Sequence, residues 1–351
     1  MASNTMLTAT KVTREALRIL HEQLSFTNTT KIDYDNSYRS DGAKRGDTLK
    51  IRLPNRYTVR TGAAMSTQDT AEESVDLVTS TQKGVDMEFS STELTLDLDD
   101  FSERILKPAM SVLASDIEND YLQTVTQAVH NQVGTAGTTP TTLLPYLQAR
   151  ARMNQELAPK DNQRCLQLPS NASAVIVNAL NGLFHDSTQI SKQYREGLMG
   201  RSSGFDWYEN ERSWTYTAGA DVAGAVNQAD VASGDTQVTV DGFTAALPVG
   251  TVITFAAVFA VHPETKATMS HLKNFVVTAA TTTTVTVSPA IISTGAKQNV
   301  SALPADNAAV ASVGSPTAST GYEVSLAYHR DAFAFTTADL VMPEGVDFAA
   351  R

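Results

Sequence analysis

The sequence has 351 residues, enough for two or three compact units, and its 42% hydrophobic content is enough for buried cores. A single cysteine, Cys165, excludes an internal disulfide and a cysteine-based zinc site, and the net charge of −11 argues against a dedicated nucleic-acid binder, which needs clustered Lys and Arg. No run approaches the roughly 18 apolar residues of a membrane span, and MASNTMLTATK lacks the apolar core of a secretory signal, so a soluble cytoplasmic product with no membrane partner is expected.

The charge is unevenly spread. Residues 1–60 hold eleven Lys and Arg against six Asp and Glu, and the remaining 291 residues hold sixteen against thirty-two. A basic N-terminal part and an acidic body allow identical copies to attract one another head to tail.

In chain order, residues 8–26 are expected to form a helix, capped by Thr8, Thr10 or Thr13 and lined on one side by Val12, Ala16, Ile19, Leu20 and Leu24. A tract from Thr27 to Asp47, rich in Asn, Ser, Thr and Asp, reads as an extended arm. Next, over Thr48 to Arg60, Leu49, Ile51 and Leu53 alternate with Lys50 and Arg52, then come Arg56, Val59 and Arg60, which predicts a strand with a basic outer face. Its partner is expected at 84–98, where Val85, Met87, Phe89, Leu94, Leu96 and Leu98 alternate with polar residues. The intervening segment carries Asp69, Glu72, Glu73 and Asp76. Two strands cannot bury much alone, so this ribbon needs support from elsewhere.

The clearest helix is predicted between Asp97 and Asn131. Phe101, Ile105, Ala109, Leu113, Ile117, Tyr121, Val125 and Val129 recur every four residues, Asp99 or Asp100 can cap its start, and Gly134 marks its end. Pro108 must kink this helix or begin its main segment. A second helix is expected over 141–157, with Thr141 or Thr142 as cap and Pro145 in the first turn. Then follow a strand at 164–168, a helix from Ser170 to about 183 and a strand at 204–209. From Ser213 to Thr320 only nine of 108 residues are charged, against 56 of the other 243, and 65 are Ala, Thr, Val or Ser. That shift marks a separate module. Strands at 236–243, 250–261, 274–279 and 284–288 predict a small antiparallel barrel or sandwich, and 322–336 returns as a strand.

Several stretches imitate catalytic or metal sites. Gly200-Arg201-Ser202-Ser203-Gly204 fits the G-x-S-x-G nucleophile elbow, but a helical segment precedes it and a strand follows, the reverse of what an elbow requires. His329-Arg330-Asp331 and Asp347-Phe348-Ala349 match fragments of protein-kinase motifs, yet Thr336 replaces the metal-binding asparagine and Ala349 the last glycine. A salt-bridged strand end is the expectation there. His262 and His271 have only Glu264 near them in sequence, too few ligands for a metal. Asp97, Asp99 and Asp100 read as helix capping. No catalytic residue, metal ligand or cofactor site is therefore expected, and the protein is read as no enzyme.

The stretches LDLDDFSERILKPAMSVLASDIENDYLQTV, TQVTVDGFTAALPVGTVITFAAVFAVHPETKATMSHLKNFVVTAATTTTVTVSPAI and LAYHRDAFAFTTADLVMP, in that order, resemble the coat proteins of tailed bacteriophages with the HK97 fold, within them the P22-like coat family. The resemblance implies an α+β capsid fold with an N-terminal arm at 1–45 and an extended β-loop at 46–97. A spine helix and peripheral domain follow at 98–140, then a first axial part at 141–222, an inserted six-stranded β-barrel at 223–313 and an axial return at 314–351. Such coat proteins continue past the return strand, whereas this sequence stops at Arg351. The resemblance further implies a major capsid protein assembling as hexamers and pentamers into an icosahedral shell around double-stranded DNA. Its partners would be a scaffolding protein, a portal protein at one vertex and DNA held without sequence specificity, in the virion and, during assembly, the host cytoplasm. Arg52, Arg56, Arg60, Asp69, Glu72 and Glu73 are the candidate subunit-interface residues. A surface adhesin or fibre-type protein, and a serine hydrolase using Ser202, are the alternative readings.

Overall fold

The computed structural model describes residues 9–32, 48–65, 67–68, 70, 72–79, 81–86, 101–179, 200–220 and 223–337. The chain divides into two units, one comprising Met1–Leu53, Glu72–Tyr121 and Arg330–Arg351, the other Pro54–Ala71 and Leu122–His329.

In the first unit, helix α1 (Ala9–Gln23) buries Ile19 against Phe101 and Leu106, with Val12, Ala16, Ile105 and Met110 at the margin. Strands β1 (Thr48–Leu53) and β2 (Glu73–Val78) form an antiparallel ribbon, with Lys50 opposite Asp76 and Ile51 opposite Val75. The partner of β1 is thus the segment 73–78 rather than 84–98, of which 87–98 lies outside the described residues. Val75 and Leu77 do alternate with Ser74 and Asp76. Five of the six β2 residues are exposed, however, so this strand carries little of the apolar signal by which strands are recognised.

Helix α2 (Lys107–Ala128) continues a π-helical turn at Ser102–Leu106. Pro108 has no N–H to offer, and its ring crowds the carbonyl four residues back. The wider turn just before it, in which the Lys107 N–H reaches the Ser102 carbonyl, lets the helix run on through the proline. This extra residue also rotates the buried face. After Phe101 the buried row is Leu106, Ala114, Glu118 and Leu122, spaced five residues and then multiples of four, instead of the expected 105, 109, 113, 117 and 121, while Val125 is buried as expected. Ile117 and Leu113 consequently sit at the margin, and a carboxylate occupies the buried row.

Glu118 is fully buried, and its Oε1 accepts the Phe26 N–H at 2.7 Å. The Phe26 ring packs on Tyr121 (5.0 Å between centroids), and Tyr121 packs on Phe335 (5.2 Å). Lys31 bridges in parallel to Ala334, its N–H donating to the Phe333 carbonyl at 3.1 Å. The end of the N-terminal helix, the middle of α2 and the segment after residue 330 are thereby joined.

In the second unit, a four-stranded sheet has the order β16-β3-β5-β4, built from β3 (Arg164–Leu168), β4 (Arg201–Ser202), β5 (Phe205–Glu209) and β16 (Leu326–His329). β3 is buried throughout and runs parallel to β5 and antiparallel to β16, the expected return strand. Helices α3 (Leu144–Gln155) and α4 (Ser170–Ala179) supply Tyr146, Ala172 and Ile176 to a core with Leu166, Leu168, Phe205 and Trp207. α3 starts later than expected: Pro145 stands in its first turn, but the residue before the helix is Leu143, so neither threonine caps it.

Strands β6 (Thr215–Thr217) and β15 (Gly321–Glu323) pair antiparallel and form a neck. The chain between them builds a closed six-stranded barrel in the order β12-β13-β8-β7-β14-β9. Its strands are β7 (Ala223–Val226), β8 (Asp235–Asp241), β9 (Val252–Phe255), β12 (Phe275–Ala280), β13 (Thr284–Ile291) and β14 (Ala309–Ser312), and a hairpin of β10 (Phe259–Val261) and β11 (Thr268–Leu272) lies between β9 and β12. Val238, Val240, Ile253, Phe255, Phe275, Val277, Val285, Val287 and Val310 fill it, each almost wholly buried. Alternation of Val with Thr or polar residues in β8 and β13 points one set of side chains inward. At Gly224 a Cβ would lie 2.7 Å from the Asp241 carbonyl oxygen, so only glycine lets β7 and β8 approach this closely.

Candidate functional site

The ribbon is amphipathic. Lys50, Arg52, Ser74 and Asp76 share one face, and Leu49, Ile51, Leu53, Val75 and Leu77 share the other, because side chains alternate along each strand and these residues lie opposite one another. Neither strand contains a fully buried residue. Leu53 and Val75 on the apolar face are about half exposed, and the loop that follows β1 exposes Tyr57, Val59 and Met65, of which Val59 is 96% exposed. Apolar surface of this kind gains free energy, about 25 cal/mol per Å², only when something covers it.

Of the six interface candidates, Arg52 and Glu72 pair with each other. Arg52 Nη1 lies 3.2 Å from Glu72 Oε2, an exposed pair within the ribbon itself. Such a pair is worth about 0–1 kcal/mol. Glu73 stands opposite Leu53 at the loop end of the ribbon. Arg56 lies on the loop beyond β1, where its charge, after the larger effect of burial, helps push the Lys266 amine down from its ordinary range. Arg60 donates to the Gly62 carbonyl, and Asp69 lies outside the described residues. Gln68 closes this loop by accepting the Thr58 N–H at 2.9 Å and donating back to the Thr58 carbonyl at 2.6 Å. Val59 is expected in the strand, which instead ends at Leu53, and Tyr57 and Met65 carry no sequence expectation. Their signal is apolar residues in a stretch, RYTVRTGAAM, with no period that would place them in a core.

Lys83 is a further anchor that sequence reasoning missed. Its amine reaches Asp116 Oδ2 at 2.7 Å and Asp120 Oδ2 at 3.0 Å, two carboxylates one turn apart on α2. Burial works against the charged amine, but the hydrogen bonds it donates to both carboxylates prevail and raise its pKa.

The motifs that imitate catalytic sites take structural roles. Ser202 ends β4, and Ser203 and Gly204, both at positive φ (55° and 84°), make the two-residue turn into β5. The stretch is a hairpin, and the Ser202 carbonyl accepts the Trp207 indole N–H at 3.0 Å. His329 Nε2 lies 2.9 Å from Asp161 Oδ1, whose carboxyl is held below its ordinary range chiefly by that bond. His262 Nδ1 accepts the backbone N–H groups of Glu264 and Thr265 at a turn. Cys165 is buried in β3. Asp97, Asp99, Asp100 and the stretch 347–349 lie outside the described residues. Among the described residues no three or more His, Cys, Asp or Glu are grouped to hold a metal ion, and no helix is long and apolar enough to cross a membrane.

No family model matches the sequence, and no curated protein does. Among solved structures, the chain is similar to the CUS-3 coat protein I-domain, with 31% identity over 26% of this chain and 96% of that one, at a TM-score of 0.22. It is also similar to a structure from Mycobacterium phage Che8, with 14% identity over 75% of this chain and 86% of that one, at a TM-score of 0.37.

Proposed function

We propose that this chain is a phage structural protein, the major capsid subunit of a tailed phage, assembling as hexamers and pentamers into an icosahedral shell around double-stranded DNA. The observation that carries this reading is the closed six-stranded barrel inserted through a paired neck into an α+β unit, the arrangement that the resemblance to P22-like coat proteins implies. The ribbon supports it physically. A subunit of a closed shell must make several separate contacts, each stable one burying upwards of about 1,000 Å² in total, and a two-stranded ribbon with an uncovered apolar face suits such a contact.

In this reading Leu49, Ile51, Leu53, Val75 and Leu77 press on a neighbouring copy. Arg56, Arg60, Asp69 and Glu73 set the register, and the Arg52–Glu72 pair stiffens the ribbon from within. A scaffolding protein would guide assembly in the host cytoplasm and a portal protein would occupy one vertex. The net charge of −11 suits a wall that holds DNA without gripping phosphate. The subunit acts by assembly, with no catalysis. Electron microscopy of the purified chain, alone and with its scaffolding partner, is expected to show closed shells; a product that stays monomeric across concentration, salt and scaffold would overturn the proposal.

A further inference from the structure

The barrel joins the rest of its unit through two chain crossings, both in the neck formed by β6 and β15, where Thr215–Thr217 pair with Gly321–Glu323 and backbone hydrogen bonds continue to Ala218, Ser319 and Thr320 at one end and to Trp214 and Val324 at the other. Two such short strands hold a module of this size loosely on their own. Its orientation must therefore be set by contacts at its side, and these converge on one segment, residues 127–136, together with the end of α3.

The contacts come from three separate loops of the barrel. Asn274 Nδ2 donates to the Gln132 carbonyl at 3.2 Å, and Gln132 Nε2 donates to the Val313 carbonyl at 3.3 Å. The Ala136 N–H donates to the Gly314 carbonyl at 2.9 Å. The Gly250 backbone lies so close to Gln127 that a Cβ there would meet Gln127 Cγ at 3.0 Å. At the centre, Lys273 Nζ sits 2.8 Å from Glu156 Oε1, and the Lys273 side chain is only 4% exposed. Glu156 is the C-cap residue of α3, where a carboxylate opposes the helix dipole, so the Lys273 ammonium relieves an unfavourable placement. Beside the pair stands His130, whose imidazole is pushed down to about 4, first by burial and then by the Lys273 charge, with Glu156 opposing. Arg152, one turn before Glu156 on α3, is the remaining charged group at the carboxylate.

We infer that the barrel is a hinged module, with the β6/β15 neck as hinge and the Lys273–Glu156 pair, buried on its lysine side, as the catch that fixes its orientation. Such a pair suits this role: losing Glu156 leaves the Lys273 ammonium, only 4% exposed, without a counter-charge, and losing Lys273 leaves the Glu156 carboxylate, 32% exposed, unneutralised against the helix dipole, whereas losing both does neither. The barrel's own core contributes nothing to the catch and stays intact when it opens. This inference stands whether or not the chain builds a shell.

Hydrogen exchange on the full chain at neutral pH tests it. Lys273→Met and, separately, Glu156→Gln are expected to speed exchange at 129–136, 215–218 and 319–323, on the order of a hundredfold. β8, β12 and β13 keep their protection. The double variant, Lys273→Met with Glu156→Gln, is expected to return most of the lost protection to the neck. Unchanged neck exchange in both single variants would overturn the inference. Loss of protection in the barrel strands in step with the neck would overturn it equally, since the pair would then support the barrel fold itself.

Discussion

The barrel and the ribbon are both antiparallel β-structure, yet they solve opposite problems. Six strands close on themselves, so the barrel has no free edge, and sixteen buried apolar residues form one continuous core. The ribbon has two strands, two edges and no buried residue at all. The comparison teaches that one element carries its stability within the chain and the other borrows it. Substitutions should therefore register in different assays, barrel changes in the folding of the lone subunit and ribbon changes in its association.

The largest effect is expected at Phe275, which is fully buried and packs edge-on against Phe255 at 5.5 Å. Phe275→Ala should cost about 3–5 kcal/mol of subunit stability in urea titration; a loss below about 1 kcal/mol would mean that the barrel does not hold itself together. The next effect is a pH dependence. With its folded pKa near 4, against an ordinary 6.5, His130 binds no proton in the native state between those values, whereas the unfolded chain does. Stability is thus complete above pH 6.5 and falls as pH drops towards about 4, by at most about 3 kcal/mol. Denaturation curves across this window should show the slope, and His130→Asn should remove its histidine share. The smallest effect on the lone subunit belongs to the ribbon. Val59→Ser, at a side chain 96% exposed, should leave subunit stability within about 0.5 kcal/mol while weakening self-association by sedimentation. If Val59→Ser destabilised the subunit as much as Phe275→Ala, the contrast between the two regions would fail.

The same contrast explains what was legible in the sequence. Elements that bury alternating or four-spaced apolar residues announced themselves: α1, α2, β3, β8, β12, β13 and the return strand β16. β7 and β14, AGAV and AVAS, belong to the barrel yet read as loop, because Ala and Gly lack the bulk that marks a strand. β2 was missed for the converse reason, being paired by backbone while almost wholly exposed. In α2 the apolar row is visible but its register from 105 to 121 is one residue off, since a period of four cannot announce a π turn, and Val125 again falls where the period places it. Among the charged interface candidates, Arg52 and Glu72 pair with each other inside the ribbon, a contact across the strands that no sequence motif marks. The catch at Lys273 was invisible, because Glu156 is 117 residues away and neither residue stands in a motif.

The neck has a consequence for how the chain folds. Thr217 pairs with Gly321, so forming that pair from an unfolded chain closes a loop of about 100 residues at an entropic cost on the order of 4 kcal/mol. β16 must cross a still longer stretch to reach β3. A barrel that closes first brings its two ends together and removes most of that search. It then acts as a clasp in time as well as in space, lowering the entropic cost at which β16 joins β3 once the inserted module has shut.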